Sequence, residues 1–277
     1  MTIVVGVAAP DGLVLAADSR TTLLASESRT RVASDTAQKV FPVCGRFGVA
    51  CYGAAFVDEK TVGGQMNEFQ AALDNPIDTI DDLVMQLGDF FQARILAAWK
   101  NLEGKDWEPS DGWHLGFLVA GYDDQGVGHL HDVRVPGDGK PEIILTDAST
   151  ANITVAPRGL DEVIGRLLGG FDSNRVEQSG VAVPDDVQKV LAGLEYNLLL
   201  PITMQDAIDC AVFLIRTTID MQRFSDGTRA NPGAVPGCGG PVRILAVGRD
   251  EVEWISRPAL TAGTLPGNAE GALATGG

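Results

Sequence analysis

The run IVVGVAAPDGLVLAA, residues 3–17, constrains the fold more than any other stretch of the chain. Two β-rich segments, 3–9 and 13–17, flank Pro10-Asp11-Gly12. Proline presets φ and Asp-Gly supplies a tight reversal, so the pattern predicts an antiparallel hairpin. A polar segment from Thr21 to Arg31 reads as a loop. Two further strands follow, QKVFPV (38–43) and RFGVACYG (46–53), separated by Cys44-Gly45. The spacing then turns helical over about 56–73 and, more regularly, over about 80–102. In the second of these, Leu83, Val84, Leu87, Phe90, Phe91, Arg94, Ile95 and Ala98 recur at three- and four-residue steps. Strands return at 113–122, 126–135, 142–148 and 152–156, and helical patterns at 160–168, 187–196 and 203–224. Thr203 with Asp206 three residues on resembles a capping box. Strands at 241–247 and 251–256 close the order. Strands, helices, strands, helices, strands is an antiparallel α+β arrangement and not a βαβ alternation.

Composition narrows the class. With 45% hydrophobic and 21% charged residues among 277, the chain has material for a large core. No interdomain linker or repeat interrupts it, so one domain is expected over 1–257. The small, glycine-rich residues 258–277 are expected to form a disordered tail. No apolar run reaches the roughly 18 residues that span a bilayer, and the first residues lack the basic and apolar regions of a signal peptide. Four cysteines without metal-ligand spacing fit a reduced, cytoplasmic setting. A formal charge of −16 repels a phosphate backbone, which argues against nucleic acid as a partner.

The usual catalytic motifs are missing: there is no GxSxG, no P-loop and no GxGxxG after a strand. His129 and His131 alternate on one strand face, but no third ligand accompanies them, and they read as strand residues rather than as a metal site. Thr2 offers a different chemistry. Removal of Met1, usual before a residue as small as threonine, gives Thr2 a free α-amine. Its pKa of about 7.7–8.0 suits a base near neutral pH. The amine then sits on the same residue as the hydroxyl it would activate. Such a site also needs a cation beside the nucleophile, an acid to hold that cation, and a backbone N–H aimed at the oxyanion. Asp18, ending the hairpin, and Lys39, opening the next strand, are candidates for the charge pair.

TIVVGVAAPDGLVLAADSRTT, ASDTAQKVFPV and GVACYGAA together resemble the N-terminal third of proteasome β-type subunits and of the related bacterial ring proteases. WHLGFLVAGYDDQG, TMQDAIDCAVFLI and GGPVRILAV are similar to later parts of the same superfamily. The resemblance implies an α+β fold, a four-layer αββα sandwich of two antiparallel sheets. It implies a threonine-type N-terminal nucleophile (Ntn) hydrolase, most simply a peptidase, with Thr2 as nucleophile and base, Asp18 and Lys39 as the charge pair, and Gly53 as oxyanion donor. No metal or organic cofactor is implied. The implied partners are peptide or unfolded-protein substrates and further copies of the chain in a ring around an inner chamber. Whether an ATPase or other gate feeds such a chamber is not readable here.

The chain also departs from the family pattern. Tyr52 stands where the family has the first of two glycines, and a register shift of one would put Tyr52 in the oxyanion position. The family's Gly-Ser-Gly, whose serine assists the terminal amine, is replaced by Ala156-Pro157-Arg158-Gly159. The remaining relay residues have only approximate counterparts in Asp220 and Cys238, between which lies FSDGTRANPGAVPG. The missing serine and Tyr52 motivate one alternative, a non-catalytic scaffold subunit with the same fold; a second is a non-degradative Ntn amidohydrolase or ligase. Lys39→Ala is expected to abolish catalysis with little loss of stability if the peptidase reading holds.

Overall fold

In the computed structural model, β1 (Ile3–Ala9) and β2 (Gly12–Ala17) form the expected hairpin, paired from Val4↔Ala17 to Ala9↔Gly12. Every residue of both strands is buried, because the hairpin is apolar on both faces and both faces are covered. The structure describes residues 2–26, 29–73, 77–102, 114–137, 140–149, 154–196, 203–225, 227–228, 231–232 and 236–258. The expected tail, apart from residue 258, and much of the 224–238 insertion lie outside these residues.

After the hairpin come β3 (Thr21–Ser26), β4 (Arg29–Ser34), β5 (Val40–Val43), β6 (Phe47–Gly53), β7 (Phe56–Val57) and β8 (Lys60–Thr61). Helices α1 (Val62–Ala71) and α2 (Ile80–Leu102) lead to β9 (His114–Tyr122), β10 (Gly128–Pro136), β11 (Glu142–Ser149) and β12 (Thr154–Gly159). Then follow α3 (Glu162–Gly169), α4 (Ser173–Gln178), α5 (Asp185–Ala192) and α6 (Met204–Phe224). The short β13 (Gly227–Thr228) and β14 (Asn231–Pro232) precede β15 (Arg243–Val247) and β16 (Val252–Ser256).

Two five-stranded sheets result, ordered β12-β1-β2-β15-β16 and β11-β10-β9-β6-β5, with antiparallel neighbours throughout. The period of two divides each strand between two cores. Val4, Ala8, Leu13 and Leu15 pack between the sheets against Ala50, Leu118, Ala120 and Leu130. Ile3, Val5, Val7, Val14 and Ala16 face outward onto α3 and α6. On the other sheet, Phe41, Val49, Phe117, Val119 and Val133 pack against α1 and α2. The architecture is therefore α+β, a four-layer αββα sandwich. Helix α6 docks through Ala207, Ile208, Ala211, Leu214 and Ile215, one face at three- and four-residue steps. Each large apolar side chain buried this way contributes about 1.5–3 kcal/mol. Its start carries the full Thr203–Asp206 capping box.

Helix α4 and the β13–β14 pair have no counterpart in the sequence reading, and three further segments differ from it. Thr21–Arg31 is not a loop: most of it belongs to the two-stranded β3–β4 sheet, which lies outside both main sheets. The helix expected from Phe56 starts at Val62, because β7 and β8 first make a two-stranded turn. The strand expected at 152–156 runs instead over Thr154–Gly159, so Ala156-Pro157-Arg158-Gly159 is strand. Proline is tolerated there because β12 is an edge strand.

Candidate active site

Asp18 sits at the end of β2, where the hairpin leaves the sheet, and its carboxylate is fully buried. Four donors converge on it. The backbone N–H of Ile3 donates to Oδ1 at 3.1 Å. The N–H groups of Arg20 and Gly239 donate to Oδ2 at 3.0 and 2.9 Å. Lys39 Nζ approaches Oδ1 at 2.7 Å and donates to the carbonyl of Arg20 at 2.5 Å. Lys39 is only 5% exposed. A buried ion pair persists when the remaining lone pairs and protons are also satisfied, and here backbone groups satisfy them.

Thr2 is 7% exposed and enters β1 directly. Its carbonyl accepts from the Leu160 N–H at 2.8 Å, just past the end of β12. Gly159 makes that approach possible. Its φ is +87°, and a Cβ there would lie 2.1 Å from the Thr2 carbonyl oxygen. The nucleophile candidate is thus fixed from both sides, by Leu160 through its own carbonyl and by Asp18 through the N–H of Ile3.

Thr2 and Lys39 line one pocket of about 240 Å³. Phe41, Cys51 and Val62 give it apolar walls, and Gln38 and Asn67 neutral polar ones. Arg20 also lines it, but its guanidinium is committed to Asp35, with Nε–Oδ1 at 2.7 Å and a second bond at 3.0 Å. That contact holds the Asp35 carboxyl below the usual carboxylate range and raises the Arg20 guanidinium above its ordinary value. Burial pushes the Cys51 thiol up to about 12, so it lines the pocket as a neutral, apolar group.

Gly53 ends β6 between Tyr52 and Ala54, two more lining residues. Its φ is +82°, and a Cβ there would come within 2.5 Å of the His114 carbonyl oxygen, so a glycine is required. The Tyr52 side chain does not crowd the pocket. Its ring turns into the space between the sheets, and its hydroxyl donates to the buried Asp132 carboxylate.

The expected site residues thus divide. Thr2, Asp18 and Lys39 come together, and Gly53 stands at the pocket's edge. Asp220 is on an exposed face of α6, and Cys238 is turned to Gln222, its N–H and thiol both directed at Oε1. The neighbour of Cys238, Gly239, is the residue that reaches Asp18. Sequence reading missed that contribution and the Gly159–Leu160 hold on Thr2, since both are backbone groups with no side-chain signature. It also missed Asp132, an acidic residue inside an alternating strand, which was a usable signal. Among the described residues no group of three His, Cys, Asp or Glu could hold a metal ion. His129 pairs with Asp123 at 2.9 Å, and His131 lies 3.8 Å from Asp81. No helix of the described residues is long and apolar enough to cross a membrane.

Two antiparallel sheets face to face between helical layers make the proteasome-like Ntn-hydrolase fold. Among the solved structures that match it, two do so along nearly the whole chain. Anbu from Hyphomicrobium sp. strain MC1 is 13% identical, with a TM-score of 0.52 over 92% of this chain and 85% of that one. A mutant of Anbu from the same organism is 14% identical, with a TM-score of 0.51 over 92% and 87%. No protein-family model matches the chain, and no curated protein matches it in sequence.

Proposed function

We propose that this chain is a threonine-type Ntn peptidase. The observation that carries the reading is Lys39, held by the Asp18 carboxylate and the Arg20 carbonyl in the pocket it shares with Thr2. A scaffold has no need of a buried cation at that place. After loss of Met1, the Thr2 hydroxyl attacks the scissile carbonyl and its proton passes to the Thr2 α-amine. The Lys39 charge favours the alkoxide character of the attacking oxygen, and the Gly53 N–H stabilises the oxyanion. The protonated amine returns the proton to the leaving nitrogen as the C–N bond breaks, leaving an ester on Thr2. Water, deprotonated by the same amine, hydrolyses that ester and restores the free hydroxyl.

The walls of the pocket favour an uncharged, mainly apolar substrate side chain, because both cations lining it are already paired. Assembly of copies into a ring with inward-facing sites belongs to the same reading, and the exposed Phe213, Met221 and Phe224 of α6 supply apolar surface for it. A cytoplasmic location accords with four free cysteines. The scaffold alternative has one observation in its favour: residues 156–159 carry no hydroxyl to assist the amine.

Intact mass before and after a peptide epoxyketone tests the proposal, since that warhead needs a hydroxyl and a free amine on one residue. Loss of Met1 and one adduct per chain, absent in Thr2→Ala, is the expected result. A retained Met1 would overturn it in favour of the scaffold. Turnover of short amides with complete resistance of unfolded proteins would move it to a non-degradative amidohydrolase.

A further inference from the structure

Asp132 is fully buried yet lies in the middle of β10. With Leu130 and Arg134 it occupies the strand face turned to the other sheet. Three side chains meet its carboxylate. Tyr52, from β6 of the same sheet, donates its hydroxyl to Oδ1. Arg158, from β12 of the opposite sheet, donates Nε to Oδ2 at 2.8 Å, and Arg134 donates Nε to the same oxygen at 3.1 Å. A carboxylate in this position is costly unless every lone pair is used, so the cluster ties the two sheets together at one point.

That point is next to the candidate active site. Tyr52 is the residue before Gly53, and Arg158 is the residue before Gly159, which packs against the Thr2 carbonyl. In the β1–β12 register Arg158 stands opposite Val4, and Gly159 opposite Ile3. The Tyr52 ring lies against Gly116, where a Cβ would fall 2.1 Å from Cζ, and meets the His114 ring edge-on at 5.9 Å between centroids. The ring therefore has one seat, and its hydroxyl donates to Asp132 with Arg134 beside it. Burial and the Asp132 charge both push the Tyr52 phenol up from its ordinary value, which keeps it a donor.

We propose that Tyr52, Asp132 and Arg158 form a positioning device that fixes the oxyanion end of β6 relative to the strand end carrying Thr2; the proposal rests on the peptidase reading above. Asp132 and Arg158 are not among the pocket's lining residues, and the Tyr52 hydroxyl is turned from the pocket to Asp132. Tyr52 acts through Gly53, Arg158 acts through Gly159, and Asp132 joins them across the space between the sheets. The tyrosine that breaks the family's glycine pair is then a working part of the site.

Steady-state kinetics on a fluorogenic peptide amide ending in leucine test this with the full chain and with Tyr52→Phe, Asp132→Asn and the double variant. Removing an oxyanion donor costs about 10²–10³ in kcat, and displacing one costs less. Tyr52→Phe is therefore expected to lower kcat about 10- to 100-fold. KM should stay within about twofold, and the pH profile should keep its shape, because the base is untouched. The double variant should be no slower than the slower single, since both break one connection. Wild-type kcat in Tyr52→Phe, with only Tm lowered, would overturn the device and leave the peptidase reading standing. Multiplying losses in the double variant, or a rise in KM alone, would overturn it too. Should Asp132→Asn fail to fold, the kcat–KM split of Tyr52→Phe decides alone. A wild-type chain with neither turnover nor epoxyketone adduct would overturn both readings.

Discussion

Replacing Lys39 with methionine keeps most of the side-chain volume and removes the charge. The loss falls on a fully buried carboxylate, Asp18, whose shortest contact is Nζ at 2.7 Å. Breaking a buried pair by deleting one partner costs about 3–5 kcal/mol, because the other charge stays in place uncompensated. Three backbone N–H donors remain on Asp18, from Ile3, Arg20 and Gly239, and they put the expected cost near the low end, about 3 kcal/mol. At about 2–4 °C per kcal/mol for a chain of this size, Tm should fall by about 6–12 °C. The structure thus revises the sequence-based expectation that Lys39 can be removed with little loss of stability. Thermal and urea unfolding of Lys39→Met, Asp18→Asn and the double variant give the coupling directly. It should be about 2 kcal/mol or more in favour of the pair. Epoxyketone labelling of the folded Lys39→Met protein, well below its Tm, should be lost. A coupling below about 0.5 kcal/mol would refute the electrostatic argument. Wild-type labelling of Lys39→Met would refute the catalytic one.

Other outcomes follow from the same geometry. Gly159→Ala, which would push a Cβ to 2.1 Å from the Thr2 carbonyl oxygen, should abolish turnover and lower Tm by several degrees, read by kinetics and calorimetry. Gly53→Ala should behave similarly, since φ is +82° and the His114 carbonyl blocks the new methyl; wild-type activity there would exclude the described turn. His131 is held below its ordinary pKa, chiefly by burial and partly offset by Asp81. The unfolded chain therefore takes up more protons as pH falls through about 6.5, and stability should decline on that side and be complete above it. A pH series of Tm should show a slope that His131→Gln flattens. In the native protein at pH 8, iodoacetamide should modify the exposed Cys44 and leave Cys51, its thiol pushed up to about 12 by burial, intact by peptide mass mapping.

Much of the scaffold was legible because its elements announce themselves locally. The Pro10-Asp11-Gly12 turn, the regular apolar steps of α2 and the Thr203–Asp206 box each carry their own chemistry. The β3–β4 hairpin was not legible, since TTLLAS and RTRVAS show no regular apolar alternation and sit in a polar stretch. The turn between β7 and β8 was hidden for a different reason. Asp58 and Glu59 both have positive φ, 51° and 63°, a conformation usually marked by glycine or asparagine. In the site, Thr2, Asp18 and Lys39 could be picked out as residues with reactive groups at strand ends. The donors around them could not, because Leu160 and Gly239 contribute only main-chain N–H groups. Asp132 was read past as part of a strand with two histidines. Which face of β10 meets the other sheet is decided by packing between segments far apart in sequence.

The Gly239 contact also bears on when the site comes into being. Asp18 emerges early from the ribosome, but one of its N–H donors lies 221 residues further on. The strand beside β2, β15, comes later still. A chain still being synthesised therefore carries Thr2 with an unfinished acid beside it. Under the proposed peptidase mechanism, catalytic competence arrives only with the last strands, and a half-made or truncated copy is spared from cutting its neighbours.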